Sequence, residues 1–353
     1  MPMRKAIFFL LFLSLSFSPF CLFAAMGGDT SLLPCQQNAD RLLNEALTCM
    51  KKHYYRKDWI QWEELTQAAK TRLKASGKCD DAGETISWCF QQLKDNHSFL
   101  MAPERAARYN YDTADLSGAP PPSLSDLVGE IRGEWLEDSI GYLTIPWVST
   151  TDSLICGRIA DSLQALIARL DSRSISRWIV DLRKNSGGNC WPMLAGIGPL
   201  LGEGVCGYFV ADDQRVPIAY RNGVAFQGRH VGCRVSGEGY RTQIARKSIV
   251  VLTGRRTVSA GEIVAMAFKG KDQTYLFGEP TAGLTTANAT YSLSDHSMLV
   301  LSICREADHT GRIWEGSIVP DKVIPAAGSG DLAGDPVKTA AILWLQSRQD
   351  SPR

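Results

Sequence analysis

The sequence lacks the short motifs on which metal and nucleotide chemistry usually depends. No two cysteines have CxxC spacing, no HExxH occurs, and no stretch reads GxxxxGK(S/T). Structural zinc sites, zinc peptidases and P-loop nucleotide sites each require one of these spacings, because the binding groups must converge on one ion or phosphate. We therefore expect no metal and no cofactor.

An excess of charge of one sign is also missing. Lys and Arg number 38 against 37 Asp and Glu, which gives a net charge of +1. Such a balance provides no electrostatic attraction to nucleic acid or to an anionic membrane surface. Beyond the N-terminus no apolar run is long enough to span a bilayer. We expect no nucleic-acid partner and no stable insertion in a membrane.

The one long apolar run lies at the N-terminus. A basic head, residues 1–5, precedes an apolar stretch over residues 6–23 and the small residues Ala24 and Ala25. This order is typical of a secretory signal peptide over residues 1–25, and the small residues favour cleavage over an uncleaved membrane anchor. We expect the mature protein to be periplasmic or secreted.

Nine of the ten cysteines remain after such a cleavage. In an oxidising compartment several should pair, and an odd number leaves at least one free or bonded between molecules. Four of the nine lie in the first ninety residues: Cys35, Cys49, Cys79 and Cys89. We predict disulfide bonds that staple this region internally, although the connectivity does not follow from the sequence.

Changes of hydrophobic period divide the rest of the chain. Apolar residues at helical spacing predict an N-terminal helical domain over residues 26–100, and a Gly- and Pro-rich linker follows over 101–134. Residues 135–335 alternate strands with helices, and residues 336–353 form a terminal helix. The order of strand, long helix, strand, Gly-rich loop and helix predicts right-handed βαβ crossovers and a largely parallel sheet. Short strands over 205–240 form an insertion or an edge sheet.

Ser259 lies at the junction of a buried strand and a helix. The strand is the unbroken apolar run Ile249–Leu252, and helical spacing begins after the serine. A serine here has two interpretations. It is an N-cap whose hydroxyl satisfies a free backbone N–H. Alternatively, it is a nucleophile placed where backbone N–H groups and the positive helix end await an oxyanion.

Three further stretches could support a nucleophile. His97, in the sequence DNHS at the end of the helical region, is a candidate general base, or simply a helix-end histidine beside a capping carboxylate. The paired glycines Gly187 and Gly188 follow a buried strand and form an oxyanion loop, a phosphate loop or a simple turn. Glu315 could orient an imidazole, or be an ordinary acid at the end of a strand.

Taken together and in order, these stretches resemble the C-terminal processing, or tail-specific, serine peptidases. The motifs that carry the resemblance are DLRKNSGG, TVSAGE, GEPTAG and EGSIVPD. The resemblance implies an α/β fold, a crotonase/ClpP-like βαβ spiral core, here with an N-terminal helical bundle. It also implies Ser259 as nucleophile, and an oxyanion hole from the Gly187-Gly188 backbone and the N–H of Ala260.

Two departures from the family pattern matter. Many members use a lysine after the GEPTxG segment, but Leu284 stands in that place and cannot take a proton. The sequence is more similar to the tricorn-like Ser/His/Glu branch, which implies His97 as base and Glu315 as its orienting acid. Supporting roles then fall on Ser98, on Glu262 and on one further residue, Asn96. The second departure is the missing PDZ domain, for which the segment after His97 is too short.

The sequence therefore predicts an exported serine endopeptidase that acts on a peptide or protein substrate through an acyl-enzyme on Ser259. A catalytically inactive binding module of the same fold, as in the interphotoreceptor retinoid-binding protein, is the main alternative. An acyl-CoA enzyme of the crotonase type is a third, which the exported location disfavours. The substrate, the oligomeric state and a fourth catalytic residue do not follow from the sequence.

Overall fold

The computed structural model describes residues 34–76, 81–109, 123–136, 140–173, 175–243, 247–326 and 334–348. The predicted signal peptide and Cys79 lie outside these residues. The described helices are α1 (Pro34–His53), α2 (Trp62–Ser76), α3 (Ala82–Gln92), α4 (Pro103–Tyr109), α5 (Leu124–Leu127), α6 (Ser153–Asp171), α7 (Cys190–Leu201), α8 (Ala260–Phe268) and α9 (Pro336–Ser347).

The strands form two sheets. The six-stranded sheet contains β2 (Gly133–Leu136), β3 (Ile140–Thr144), β4 (Arg177–Asp181), β9 (Ser248–Thr253), β10 (Thr274–Gly278) and β14 (Lys322–Val323). The eight-stranded sheet contains β1 (Phe99–Met101), β5 (Gly204–Ala211), β6 (Gln214–Arg221), β7 (Val224–Gln227), β8 (His230–Arg234), β11 (Thr286–Ser292), β12 (Met298–Asp308) and β13 (Ile313–Trp314).

The six-stranded sheet is parallel except for β2, and its order is β14-β10-β9-β4-β3-β2. Strand β9 lies at its centre because its apolar run is buried on both faces. Ile249 and Val251 face the main core, whereas Val250 and Leu252 face α9 on the opposite side. The predicted parallel sheet is confirmed.

The apolar helix α8 lies between the two sheets, and the apolar helix α7 packs on α6, α8 and the second sheet. Every residue of α8 is buried, and α8 contacts β9 and β10 of one sheet and β5 and β12 of the other. A helix without a polar face is stable only where all its sides are covered. The carboxyl ends of β4, β9 and β10 lie side by side at one edge of the six-stranded sheet.

The N-terminal helices pack on one another and on the antiparallel sheet. Helices α1, α2 and α3 share one apolar cluster with Leu293, Leu299 and Leu301 of the antiparallel sheet. The chain then enters that sheet, since Phe99 pairs with Val300 in an antiparallel register. The predicted boundary at residue 100 thus falls inside a strand, and the predicted linker contains α4, α5 and the first half of β2.

The strands expected over residues 205–240 are present as the antiparallel run β5 to β8. The predicted strip over residues 313–324 contains only the two-residue strands β13 and β14. Among the described residues no helix is both long and apolar enough to cross a membrane.

The free cysteines limit which residues the predicted disulfide bonds can join. Within the described ranges the free cysteines are Cys49, Cys89, Cys156, Cys190, Cys206, Cys233 and Cys304. Cys49 and Cys89 therefore do not staple the helical region. The prediction stays open for Cys35 and Cys79, the second of which lies outside the described residues.

Candidate active site

The candidate site lies at the carboxyl ends of three neighbouring parallel strands. The loop with Gly187 and Gly188 follows β4, the turn with Ser259 follows β9, and the segment 279–285 follows β10. Carboxyl ends of adjacent parallel strands meet at one edge, where open α/β sheets place their ligands. The sheet order thus brings three of the sequence motifs together.

Ser259 has a backbone conformation that few residues adopt, with φ 51° and ψ −114°. For a residue with a Cβ such a conformation costs about 1–3 kcal/mol, and it persists only where the surroundings impose it. The turn exposes the hydroxyl, and Ser259 Oγ lies 2.9 Å from Nε2 of His97. Of the two interpretations of this serine, the structure thus pairs its hydroxyl with an imidazole instead of a helix N–H.

The buried carboxylate of Glu262 holds this turn. Its Oε2 accepts the N–H groups of Ser259, at 2.9 Å, and Leu284, at 2.8 Å. Its Oε1 accepts the Thr281 hydroxyl at 2.5 Å and the Gly283 N–H at 2.8 Å. Burial raises the pKa of Glu262, and these four donors act in the opposite direction. Glu262 therefore joins the nucleophile turn to the segment after β10.

The glycine loop packs directly on the Ser259 turn. Gly187 and Gly188 have φ of 95° and 98°, and a Cβ on Gly188 would lie 1.9 Å from the Val148 carbonyl oxygen. The Gly187 N–H donates to Oδ1 of Asn185 at 2.9 Å. Within the described residues the N–H groups of Gly188 and Ala260 have no protein acceptor. These two N–H groups can therefore donate to an acceptor outside the described residues.

His97 is held by its own loop and by the antiparallel sheet. The carboxylate of Asp95 accepts the backbone N–H groups of His97, at 2.8 Å, and Ser98, at 3.0 Å. Ser98 Oγ donates to Asp95 at 2.5 Å and accepts the Ser302 N–H at 2.8 Å. Strand β1 begins immediately afterwards. The imidazole therefore projects from a rigid position, and Ser98 positions the loop instead of touching Ser259.

The second ring nitrogen of His97, Nδ1, is in hydrogen-bond contact with a hydroxyl group. Nδ1 is 2.8 Å from Thr286 Oγ1, which is 3.1 Å from Ser302 Oγ. Ser302 donates to Asn288 Oδ1 at 2.9 Å, and the Asn288 amide donates to the His97 carbonyl at 3.0 Å. We call Thr286, Ser302 and Asn288 the hydroxyl-amide chain. It favours the tautomer with the proton on Nδ1, which leaves Nε2 free to accept the Ser259 proton.

The imidazole of His97 is neutral at physiological pH. Burial lowers its pKa to about 4, while the Asp95 charge and the contact with Thr286 raise it in part. Desolvation disfavours the charged form of a buried histidine. The neutral form is the one that a general base requires.

The Glu315 carboxylate does not contact the His97 ring. Neither a hydrogen bond nor an ion pair joins these two described residues, and Glu315 Oε1 is instead 3.6 Å from Arg305 and 3.9 Å from Arg56. The backbone on either side of Glu315 is fixed to Thr285, whose Oγ1 donates to the Trp314 carbonyl and accepts the Gly316 N–H. The carboxylate consequently points to the arginines.

The structure also locates Asn96, a predicted supporting residue, and Leu284, which stands in place of the family lysine. Asn96 is exposed, and its side chain forms no hydrogen bond with another described residue. Leu284 gives its N–H to Glu262, so this position contributes backbone to the site while its side chain cannot act as a base.

The sequence interpretation missed the hydroxyl-amide chain and Asn185. Thr286 and Asn288 are two residues apart on β11 and so share a face of the sheet. This spacing is a weak signal, since Thr and Asn are common at sheet surfaces. Asn185 is fully buried and bonds the Gly187 N–H and the Pro146 carbonyl, which shapes the glycine loop.

A two-sheet α/β fold with a serine and a histidine in contact at the strand ends is the arrangement of a serine-type hydrolase. The chain belongs to Peptidase family S41, which it matches over residues 139–324. It is a serine peptidase, and the predicted family and enzyme class are confirmed.

Relatives agree with this assignment. The chain is 27% identical over 296 residues to the nisin-resistance protein of Lactococcus lactis subsp. lactis, covering 83% of this chain and 81% of that protein. It is 27% identical over 188 residues to the chloroplastic carboxyl-terminal-processing peptidase 2 of Arabidopsis thaliana. That match covers 53% of this chain and 32% of the plant protein, so the chain spans about a third of its length.

Solved structures share the fold. A lipoprotein from Streptococcus agalactiae superposes with a TM-score of 0.66 at 22% identity, over 91% of this chain and 100% of that chain. The photosystem II D1 C-terminal processing protease superposes with a TM-score of 0.53 at 15% identity, over 83% and 94%. The predicted ClpP-like fold class is confirmed.

Proposed function

We propose that the protein is an exported serine endopeptidase that forms an acyl-enzyme on Ser259, with His97 as general base. The observation that carries the proposal is the 2.9 Å contact between Ser259 Oγ and His97 Nε2, two residues 162 positions apart in the chain. Such a distance is within reach for proton transfer. Family membership makes the substrate a peptide or protein.

The reaction follows the order of acyl transfer. His97 takes the Ser259 proton as the oxygen attacks the scissile carbonyl, and the imidazolium then gives this proton to the leaving amine. The N–H groups of Gly188 and Ala260 are the oxyanion donors, and loss of one such donor typically lowers kcat by about 10²–10³. Gly187 contributes through its conformation, because its N–H is bonded within the loop. Water then releases the acyl group.

Thr286 takes the orienting position that the sequence suggested for Glu315. A neutral hydroxyl on Nδ1 fixes the tautomer but provides no negative charge to stabilise the imidazolium. The low pKa of His97 agrees with this, since the described surroundings place no carboxylate on the ring. We infer that positioning by Thr286 replaces the charge of a triad acid.

A fluorophosphonate probe tests the nucleophile. Such probes phosphonylate an activated serine, so the wild-type protein should be labelled and digestion should locate the label on Ser259. Ser259→Ala should remain unlabelled, and Ser87→Ala, which removes an exposed hydroxyl from α3, should keep the label. Equal labelling of wild type and Ser259→Ala would reject the proposal in favour of a non-catalytic module of this fold.

The pH dependence tests the base. With a His97 pKa of about 4 instead of 6.5, kcat/KM should keep its plateau down to about pH 5 and fall only near pH 4. Stability changes over a wider window: the unfolded chain binds the extra proton below about 6.5, so the free energy of unfolding falls as pH decreases from about 6.5 to about 4. Circular dichroism at each pH separates loss of activity from loss of fold.

An ordinary histidine would give a different profile. An acid limb of kcat/KM near pH 6.5, with the fold intact, would contradict the buried neutral imidazole. His97→Gln serves as the control for stability, because it should remove the part of the pH dependence of unfolding that comes from this residue.

Export belongs to the same proposal. The basic head, apolar run and small residues at the N-terminus support a cleaved signal peptide. N-terminal sequencing of the mature protein checks it.

The likeness to the nisin-resistance protein extends over most of both chains, and nisin is therefore a suitable first substrate to offer the purified enzyme.

A further inference from the structure

Glu306 is a buried carboxyl group that the proposed reaction does not use. It lies on β12 and is 1% exposed. Neither of its carboxyl oxygens has a hydrogen-bond partner among the described residues. An ionised carboxylate without donors is very costly to bury, so a group in this position takes up a proton instead. Glu306 is therefore an uncharged acid in the folded protein.

The described groups that face Glu306 provide no positive charge to keep it ionised. Three thiols and one acid surround it: Cys206 of β5, Cys190 of α7, Cys304 of β12 itself and Glu262 of α8. Burial raises the pKa of each thiol, the charge of Glu306 adds to this rise for two of them, and Lys271 partly opposes it at Cys206. Burial also raises the pKa of Glu306 well above its ordinary value, and the charge of Glu262 raises it further.

The backbone of Glu306 is joined to the segment that holds the nucleophile turn. Its N–H donates to the Thr285 carbonyl at 3.3 Å. The preceding residue, Leu284, gives its N–H to Glu262, whose carboxylate also accepts the Ser259 N–H. Two buried carboxyl groups are thus attached to one short segment of chain, and only Glu262 has the donors that a charged carboxylate requires.

A small cavity lies between Glu306 and α8. Its walls include Ile263 and Met266 of α8 and Ile218 of β6, which are apolar. The centre of a water-sized sphere sweeps about 10 Å³ in this cavity, which is room for about one water molecule. One water cannot replace the hydration shell of a carboxylate. Ionisation of Glu306 therefore requires that α8 moves and admits more water.

We propose that Glu306 is a positioning residue whose uncharged form keeps α8 and the Ser259 turn in place, and whose ionisation at alkaline pH inactivates the enzyme reversibly. Glu306 touches no reacting atom and acts through α8 and the segment 283–285. Repulsion between the two carboxylates, together with the entry of water, moves the first turn of α8, and the Ser259 hydroxyl leaves the His97 ring. The effect on catalysis rests on the proposed function, whereas the protonation state of Glu306 does not.

The pH dependence of unfolding tests the buried proton. The unfolded chain releases the Glu306 proton near pH 4.5 while the folded chain keeps it, so the contribution of this group is complete below that pH and is lost as pH rises. Glu306→Gln keeps the shape and has no charge at any pH. Its urea midpoint should exceed that of the wild type by a margin that grows from about pH 5 to about pH 9. A margin that is the same at every pH would overturn the proposal.

The pH profile of catalysis tests the positioning role. With a peptide blocked at both ends, wild-type kcat should have a reversible alkaline limb, which should move up by at least about one pH unit or vanish in Glu306→Gln. Glu306→Met, uncharged and apolar, should do the same and serves if the first variant folds poorly. The control Glu63→Gln, which alters an exposed acid of α2 paired with Lys51, should keep the wild-type limb. The absence of a limb from the wild type, or one at the same pH in the Glu306 variants, would overturn the role.

Infrared spectroscopy observes the proton on Glu306 without catalysis. A protonated carboxylic acid has a C=O stretch separate from the amide and carboxylate bands, so the difference spectrum between wild type and Glu306→Gln should contain it at neutral pH. This band should disappear with the same midpoint as kcat. Ser259→Ala protein should show the same band, so a failure of the proposed nucleophile would leave this result intact. A carboxylate band in its place at neutral pH would overturn the uncharged Glu306 and its positioning role.

Discussion

Replacing His97 with glutamine is expected to lower kcat by about 10⁶-fold, the size of effect seen when a serine peptidase loses its base. Glutamine can still occupy the space beside Thr286, but it cannot take the proton of Ser259. The buried position makes the effect large, because water has little access to substitute as a base at a site that is 9% exposed. Steady-state kinetics with a peptide substrate and the rate of fluorophosphonate labelling should fall together.

Thr286→Val is the matched comparison. Valine keeps the shape of threonine but removes the hydroxyl that lies 2.8 Å from His97 Nδ1. The base then remains while its tautomer and orientation are less restrained, and kcat should fall by about 10- to 100-fold. A His97→Gln variant as active as wild type would refute the base, and a Thr286→Val variant indistinguishable from wild type would refute the orienting role alone.

Glu262→Gln is expected to be strongly destabilising although the two side chains have the same shape. Both carboxylate oxygens accept two hydrogen bonds each, from three backbone N–H groups and the Thr281 hydroxyl. In either orientation a glutamine NH₂ faces a backbone N–H. The substitution leaves a buried N–H donor without an acceptor and also removes a charged acceptor. The free energy of unfolding should therefore fall by about 3 kcal/mol.

Activity should decline together with stability in this variant. The strained turn at Ser259 depends on the Glu262 carboxylate, so its relaxation moves the hydroxyl away from His97 and should lower kcat by at least about 10²-fold. Urea unfolding and peptide kinetics measure the two effects. Glu279→Gln, in the same segment but paired only with the exposed Arg255, is the control and should be close to wild type in both. Wild-type stability in Glu262→Gln would contradict the role of this carboxylate.

Much of the fold was predictable because the signals are local. The apolar run Ile249–Leu252 indicates a strand buried on both faces, and β9 lies at the centre of the parallel sheet. The alternating order of strand and helix in residues 140–201 and 248–278 indicates crossover connections. The domain division was less predictable. Helical periodicity shows which face is apolar but not what covers it, and here Leu299 and Leu301 of the second sheet cover the N-terminal helices.

The candidate site was predictable in part for the same reason. Ser259, Glu262 and the paired glycines lie in short motifs at strand ends, where chain order and sheet order together imply proximity. His97 was found from its residue type and its place at the end of a helix. Its partner on Nδ1 was not predicted, because Thr286 and Ser302 are ordinary residues for a strand and carry no motif.

The sequence by itself determined the peptidase motifs, the parallel sheet that brings their loops to one edge, and the loss of the family lysine at Leu284. The tertiary structure alone decided what surrounds the imidazole. A register shift between Ala287 and Asn288 places Asn288 opposite Ser302, which completes the hydroxyl-amide chain. The anchoring of Thr285 to the backbone around Glu315 turns that carboxylate toward the arginines. Partners across strands depend on register, and register is set by packing over the whole sheet.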